Sequence, residues 1–187
     1  MGIEEFFDKI ISVKMTEDKE LNIIDQTLLP GEIKRINLNT KEEIWEAIKK
    51  LRVRGAPAIG VCAAYGIAKT ASQIEADSYV DFEKGFLELK EYFASSRPTA
   101  VNLFWALNRM EDALKANKEK SIDEIKEALF KEAEDIRNED VEISRGIGAL
   151  GFKLLKKLKR NGKEIGIMTH CNAGTLATAK YGTATAP

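Results

Sequence analysis

Three short stretches of this 187-residue chain combine residue types suited to binding and transforming an anionic ligand. The first is Arg54-Gly55-Ala56-Pro57. Proline suits the first turn of a helix, where its missing N–H is not needed. The free amides and positive dipole end of a helix N-terminus favour a phosphate. Gly55 lets the backbone come close to such an anion, and Arg54 adds charge-assisted hydrogen bonds. Taken alone, a tight turn with a solvated arginine is the simpler account, because short glycine motifs are weak signals. The second stretch, SSRPTAVNL over 95–103, sets Arg97 beside a proline that opens another helix. Two arginines so placed could clamp one anion; by itself the stretch also reads as an ordinary helix–loop–helix link. The third is THCNAG over 169–174, between an apolar run at 164–168 and a helical pattern starting at Thr175. The C-terminal end of a strand is where α/β proteins place ligands. The dipole of a helix N-terminus favours a thiolate, so Cys171 could act as base, acid or nucleophile. Inert packing is the equal alternative for a cysteine. His170 is the adjacent strand residue and would point to the other face, so a Cys–His pair is not implied. Cys62, in AIGVCAAYG, reads as core packing.

The elements that must hold these residues follow from periodicity. Residues 21–25 (LNIID) form a strand, Pro30-Gly31 a turn and residues 32–38 (EIKRINL) the partner strand. Thr40 and Glu43 make a capping box for a first helix ending near Val53, with Ile44, Ile48 and Leu51 inward. A second helix runs from Pro57 to about Ala76; its Ala- and Gly-rich sequence allows close backbone approach and places it centrally. Phe82, Phe86, Leu89 and Phe93 mark a third helix, and Leu103, Leu107, Met110 and Leu114 a fourth. Ser121 and Glu124 cap a fifth, with Ile122, Ile125, Leu129 and Ile136 along one face. A sixth spans 140–158, with Ile143, Ile147, Leu150 and Leu154 turned inward. Trp45 and Trp105 read as core or interface residues. Asn161-Gly162 stops the sixth helix; a strand at 164–168 and a helix from Thr175 then make one β–α unit. The expected class is α+β leading into α/β. A small N-terminal β-hairpin or meander and helical bundle occupy residues 1–160, and the truncated start of a Rossmann-like domain occupies 161–187. A strand without sheet neighbours should be exposed or paired with another copy, so self-association is expected, with a homodimer as its form.

Composition excludes several classes. With 44% hydrophobic and 32% charged residues, the chain can bury a core and is not of the disordered type. Lys and Arg number 29 against 30 Asp and Glu, so the basic excess of a dedicated nucleic-acid binder is missing. Two distant cysteines do not make a disulfide scaffold. One histidine and no CxxC pattern argue against a zinc site, so no metal is expected. The sequence contains no apolar run of the ~18 residues that a membrane span needs. A cytoplasmic protein with neither membrane nor nucleic-acid partner is the expectation.

Together, RGAPAIGVCAAYGIA at 54–68, SRPTAVNLFWALNRM at 96–110 and THCNAGTLAT at 169–178 resemble the methylthioribose-1-phosphate isomerase family, which is related to the regulatory subunits of translation initiation factor 2B. LNIIDQTLLP resembles that family's N-terminal hairpin. The resemblance implies a cofactor-independent conversion of 5-methylthioribose 1-phosphate to 5-methylthioribulose 1-phosphate in methionine salvage. It implies substrate contacts from Arg54, Gly55, Ala56 and Arg97, and a catalytic role for Cys171. A second catalytic residue of the family, an Asp, falls in a later segment, so the chain reads as an N-terminal fragment, inactive alone. Isomerisation of ribose 1,5-bisphosphate or 5-deoxyribose 1-phosphate is an alternative. So is a regulatory role like that of the initiation-factor subunits, although a binding module needs no catalytic thiol. A stand-alone helical domain serving only in assembly is a third.

Overall fold

Alternating apolar residues build a three-stranded antiparallel meander from β1 (Val13–Met15), β2 (Leu21–Ile24) and β3 (Arg35–Leu38), in that spatial order. The computed structural model describes residues 5, 7, 9–158 and 166–187. Val13 pairs with Ile23, and Leu21 with Leu38, all four buried. Between them, Asn22 faces outward, donates to Asn37 Oδ1 at 2.7 Å and accepts from Arg35 Nη1 at 2.8 Å. The hairpin expected from sequence is therefore strands β2 and β3, and β1, which lies outside the apolar run, completes the meander.

The capping box forms as expected. Glu43 N donates to Thr40 Oγ1 at 3.2 Å and Thr40 N to Glu43 Oε2 at 3.1 Å, opening α1 (Lys41–Lys49). This helix stops short of Val53, because Leu51 adopts a left-handed φ of 63° and turns the chain toward Arg54. The next helix, α2 (Ala56–Ser72), is the centre of the molecule, with residues 58–71 buried throughout. Its small residues permit this: a Cβ on Gly60 would lie 3.1 Å from the Asn102 carbonyl oxygen. Around it pack α3 (Tyr79–Ala94), capped by Ser78 and burying Phe82, Phe86 and Phe93, and α4 (Val101–Ala116), burying Leu103, Leu107, Met110 and Leu114. Trp45 is half-buried against this core and its Nε1 donates to Ser95 Oγ at 2.8 Å, whereas Trp105 is exposed on α4 beside Arg109.

The structure corrects the sequence reading in two places. The fifth and sixth helices are one element, α5 (Ile122–Leu158), of 37 residues. No Gly or Pro interrupts residues 122–145, and the buried face continues through Ile136, Val141 and Ser144. Past Ser144 the helix leaves the helical layer and, among the described residues, meets only the C-terminal segment, where a Cβ on Gly148 would lie 3.0 Å from the Ala186 carbonyl oxygen. Ile143, Ile147, Leu150 and Leu154, expected inward, are 38–64% exposed. Their spacing is helical, but among the described residues no core lies opposite them.

The second correction concerns the β–α unit. Residues 164 and 165 lie outside the described residues, and 166–168 form no strand; Ile167 and Met168 are exposed. The helix expected from Thr175 is a single 3-10 turn, Thr175–Ala177. Small residues without apolar periodicity follow it, and they are held by polar ties to the start of the sheet and to α5 rather than by a helix of their own. Ser12 Oγ donates to the Thr178 carbonyl at 2.9 Å, and Ala179 N donates to Asp140 Oδ2 at 2.6 Å. Among the described residues no helix is long and apolar enough to cross a membrane.

Candidate active site

The chain reversal at Leu51, the start of α2 and the segment after residue 170 enclose an open cleft of about 1200 Å³. All three chemically suggestive stretches line it: Arg54, Gly55 and Ala56 from the first, Arg97 from the second, His170 and Cys171 from the third. In sequence they are separated by tens of residues; here they share one wall-to-wall space.

Gly55 is the residue that makes this possible. Its φ of 111° is disfavoured for any side chain, and a Cβ there would come within 2.4 Å of Ala177 Cα. The backbone at the start of α2 therefore lies directly against the segment that carries Cys171. Cys171 itself is exposed and holds a left-handed φ of 63°, a strained conformation for a residue other than glycine. The helix expected after it is too short to supply a dipole, so the thiol's setting comes from the cleft and its strained turn.

Two features of the cleft would suit an anion. The helices α1 and α3 receive side-chain caps from Thr40 and Ser78, but α2 and α4, whose N-termini both reach the cleft, have Gly55 and Ala100 as caps and no side-chain cap hydrogen bond. Their first amides are thus left for another acceptor. The second feature is charge. Arg52, Arg109, Arg137 and Arg145 each meet a carboxylate, whereas among the described residues neither Arg54 nor Arg97 does.

Beside the Arg54 turn lies a partly buried ionic support that the sequence reading missed. Asp25 is 2% exposed. Its Oδ1 accepts from Thr27 N at 3.0 Å and Thr27 Oγ1 at 2.6 Å, and its Oδ2 from Arg52 Nη1. Arg52 also makes a two-pronged contact with Glu46, at 2.7 and 3.1 Å. Burial pushes the Asp25 carboxyl upward, but the Thr27 hydrogen bonds and the Arg52 guanidinium outweigh it and hold the group below its ordinary value. Arg52 is shifted further into its charged form by Glu46 and Asp25. Gln26 and Asn102 also line the cleft and were not singled out from sequence. The Asx-type turn of Asp25-Gln26-Thr27 was the available signal. Cys62, as expected, is fully buried, which raises its thiol to about 12. Among the described residues no group of three or more His, Cys, Asp or Glu side chains is placed to hold a metal ion.

This fold and cleft define a class. Residues 52–185 match the Initiation factor 2 subunit family, and the chain belongs to it. Within that class it is similar to enzymes named for sugar-phosphate isomerisation. It is 54% identical over 167 residues to the methylthioribose-1-phosphate isomerase of Symbiobacterium thermophilum, covering 89% of this chain and 45% of that protein. It is 52% identical over 179 residues to the 5-deoxyribose 1-phosphate isomerase of Petrotoga mobilis, covering 95% and 50%. Among solved structures, 5-methylthioribose 1-phosphate isomerase from Pyrococcus horikoshii superposes with a TM-score of 0.87 at 40% identity, covering 100% of this chain and 50% of that one. The eIF-2B delta subunit from A. fulgidus superposes with a TM-score of 0.79 at 40% identity, covering 94% and 49%. The chain thus spans about half the length of the relatives it matches.

Proposed function

We propose that this chain carries the phosphate-binding surface and the catalytic thiol of an aldose–ketose isomerase acting on 5-methylthioribose 1-phosphate in the cytoplasm. The observation that carries the reading is the convergence of two carboxylate-free arginines, two helix N-termini without side-chain caps and an exposed cysteine in one cleft. The 1-phosphate would sit between Arg54 and Arg97, with the amides of Gly55 and Ala56 beneath it.

A glycosyl phosphate has a blocked anomeric carbon, so its ring opens only when an acid protonates the ring oxygen. A hydrogen then passes from C2 to C1, and aldose becomes ketose with no change in composition. In this reading Cys171 takes up or returns that hydrogen as a proton, or stabilises the intermediate. By family resemblance the acid is an Asp of a later segment. Retention of Cys171 in THCNAG favours an enzyme over a regulatory subunit. Similarity to the Petrotoga protein supports 5-deoxyribose 1-phosphate as the second substrate reading.

Calorimetric titration of the 187-residue chain with each sugar phosphate tests the proposal. Binding should weaken about 10–100-fold on Arg54→Ala or Arg97→Ala, the loss of hydrogen bonds to a charged partner worth ~1.5–3 kcal/mol. The tighter ligand identifies the substrate. The chain alone should bind without forming ketose phosphate. Binding that ignores both substitutions would overturn the reading.

A further inference from the structure

We propose that Gln26 is a positioning residue that sets the distance between the phosphate-binding turn and the thiol, a role that rests on the isomerase reading above. Gln26 touches both catalytic segments by different groups. Its backbone N–H donates to the Arg52 carbonyl at 3.0 Å, two residues before Arg54. Its side-chain Nε2 donates to the Leu176 carbonyl at 2.9 Å, in the segment that carries Cys171. The circuit closes on the far side, where Gly55 lies against Ala177 so tightly that no Cβ fits. Arg54 and Cys171 are thereby tied to one frame, by Gln26 on one side and by the Gly55–Ala177 contact on the other.

The frame is stiff at each joint. Arg52 is locked by Asp25 and Glu46, and Asp25 also holds the turn that presents Gln26. The thiol segment is folded on itself, since the Ala173 carbonyl accepts from Thr183 N and Thr185 Oγ1, both at 2.9 Å. Ser12 and Asp140 also tie the 178–179 backbone down, but neither lines the cleft, whereas Gln26 does. Ser12 and Asp140 therefore hold the segment on the molecule, and Gln26 holds it in register with the anion site. Reaction at C1 and C2 of a sugar whose phosphate is anchored needs that register, because misplacement of a reacting group by about 1 Å is enough to lose rate.

The test reads register apart from affinity. Iodoacetamide labels Cys171, which is exposed, while Cys62 is fully buried and serves as the internal control. In the unmodified chain, saturating 5-methylthioribose 1-phosphate should slow Cys171 labelling about tenfold or more. In Gln26→Leu, and in Gln26→Met, which keeps the length and neutrality but not the donor, the calorimetric dissociation constant should stay within about threefold while protection of Cys171 falls below about twofold. Ser12→Ala, which cuts a tie outside the cleft, should keep full protection. Protection retained in both Gln26 variants overturns the proposal and leaves the isomerase reading standing. Equal loss in Ser12→Ala overturns it as well, because general undocking would then explain the effect. No protection and no binding in the unmodified chain overturns the isomerase reading and this proposal together.

Discussion

Gly55 and Cys171 hold backbone conformations that ordinary residues avoid, and both line the cleft. Strain of this kind persists only where surrounding structure enforces it. At Gly55 the enforcement is close contact with Ala177, so Gly55→Ala combines an unfavourable φ with overlap on backbone atoms that have no free space. Each effect is worth about 1–3 kcal/mol. Thermal unfolding of Gly55→Ala should show a clear loss of stability, together with loss of sugar-phosphate binding. A variant as stable as the parent would mean that the close packing of Gly55 against Ala177 does not exist in solution. The placement at this scale was legible in sequence: residue types point to Arg54, Gly55, Arg97 and Cys171, the family resemblance adds Ala56, and the cleft gathers all of them. Gln26 was not legible, because its defining bond is to a carbonyl 150 residues away and no local pattern announces it.

Helix α5 shows how far periodicity alone carries at the element scale. Apolar spacing located its buried face correctly from Ile125 to Ile136 but not from Ile143 to Leu154, which are exposed. Burial, however, depends on what lies opposite. Leu129 is fully buried against the body, while Leu154, with the same kind of spacing, is 63% exposed. The boundary expected near residue 140 carries no breaker residue, and the helix runs through it. A matched pair of truncations separates these cases. Leu129→Ala should destabilise by about 2–5 kcal/mol, a core cavity. Leu154→Ala should stay within about 0.5 kcal/mol, as at exposed positions. Denaturant midpoints measure both. A large loss at Leu154 would show that a partner surface covers it in solution.

At the scale of the whole molecule, two carboxylates tie distant segments together with opposite electrostatic consequences. Asp25 joins the turn after β2 to the turn after α1, and its carboxyl lies below the ordinary value of 3.8. Such a group stabilises the fold at any pH above that value and loses its contribution as pH falls through the lowered one. Asp140 joins α5 to the thiol segment, and its carboxyl lies above 3.8 because burial outweighs the Ala179 N–H and the nearby Arg137. The folded state then holds its proton more tightly than the unfolded chain, so stability declines as pH rises from 3.8 through the raised value and stays lower at neutrality. Asparagine keeps an acceptor oxygen at either place but removes the charge. Asp25→Asn should therefore lose about 1.5–3 kcal/mol at pH 7, as it weakens a charged hydrogen-bond set while Arg52 keeps Glu46. Asp140→Asn should be neutral or stabilising at pH 7, still accept from Ala179 N, and remove the decline in stability just above pH 3.8. Urea unfolding across that range checks both signs in one series. A destabilised Asp140→Asn at pH 7 would mean that the ionised carboxylate itself docks the Cys171 segment, and the charge would then belong to the cleft's architecture rather than burden it.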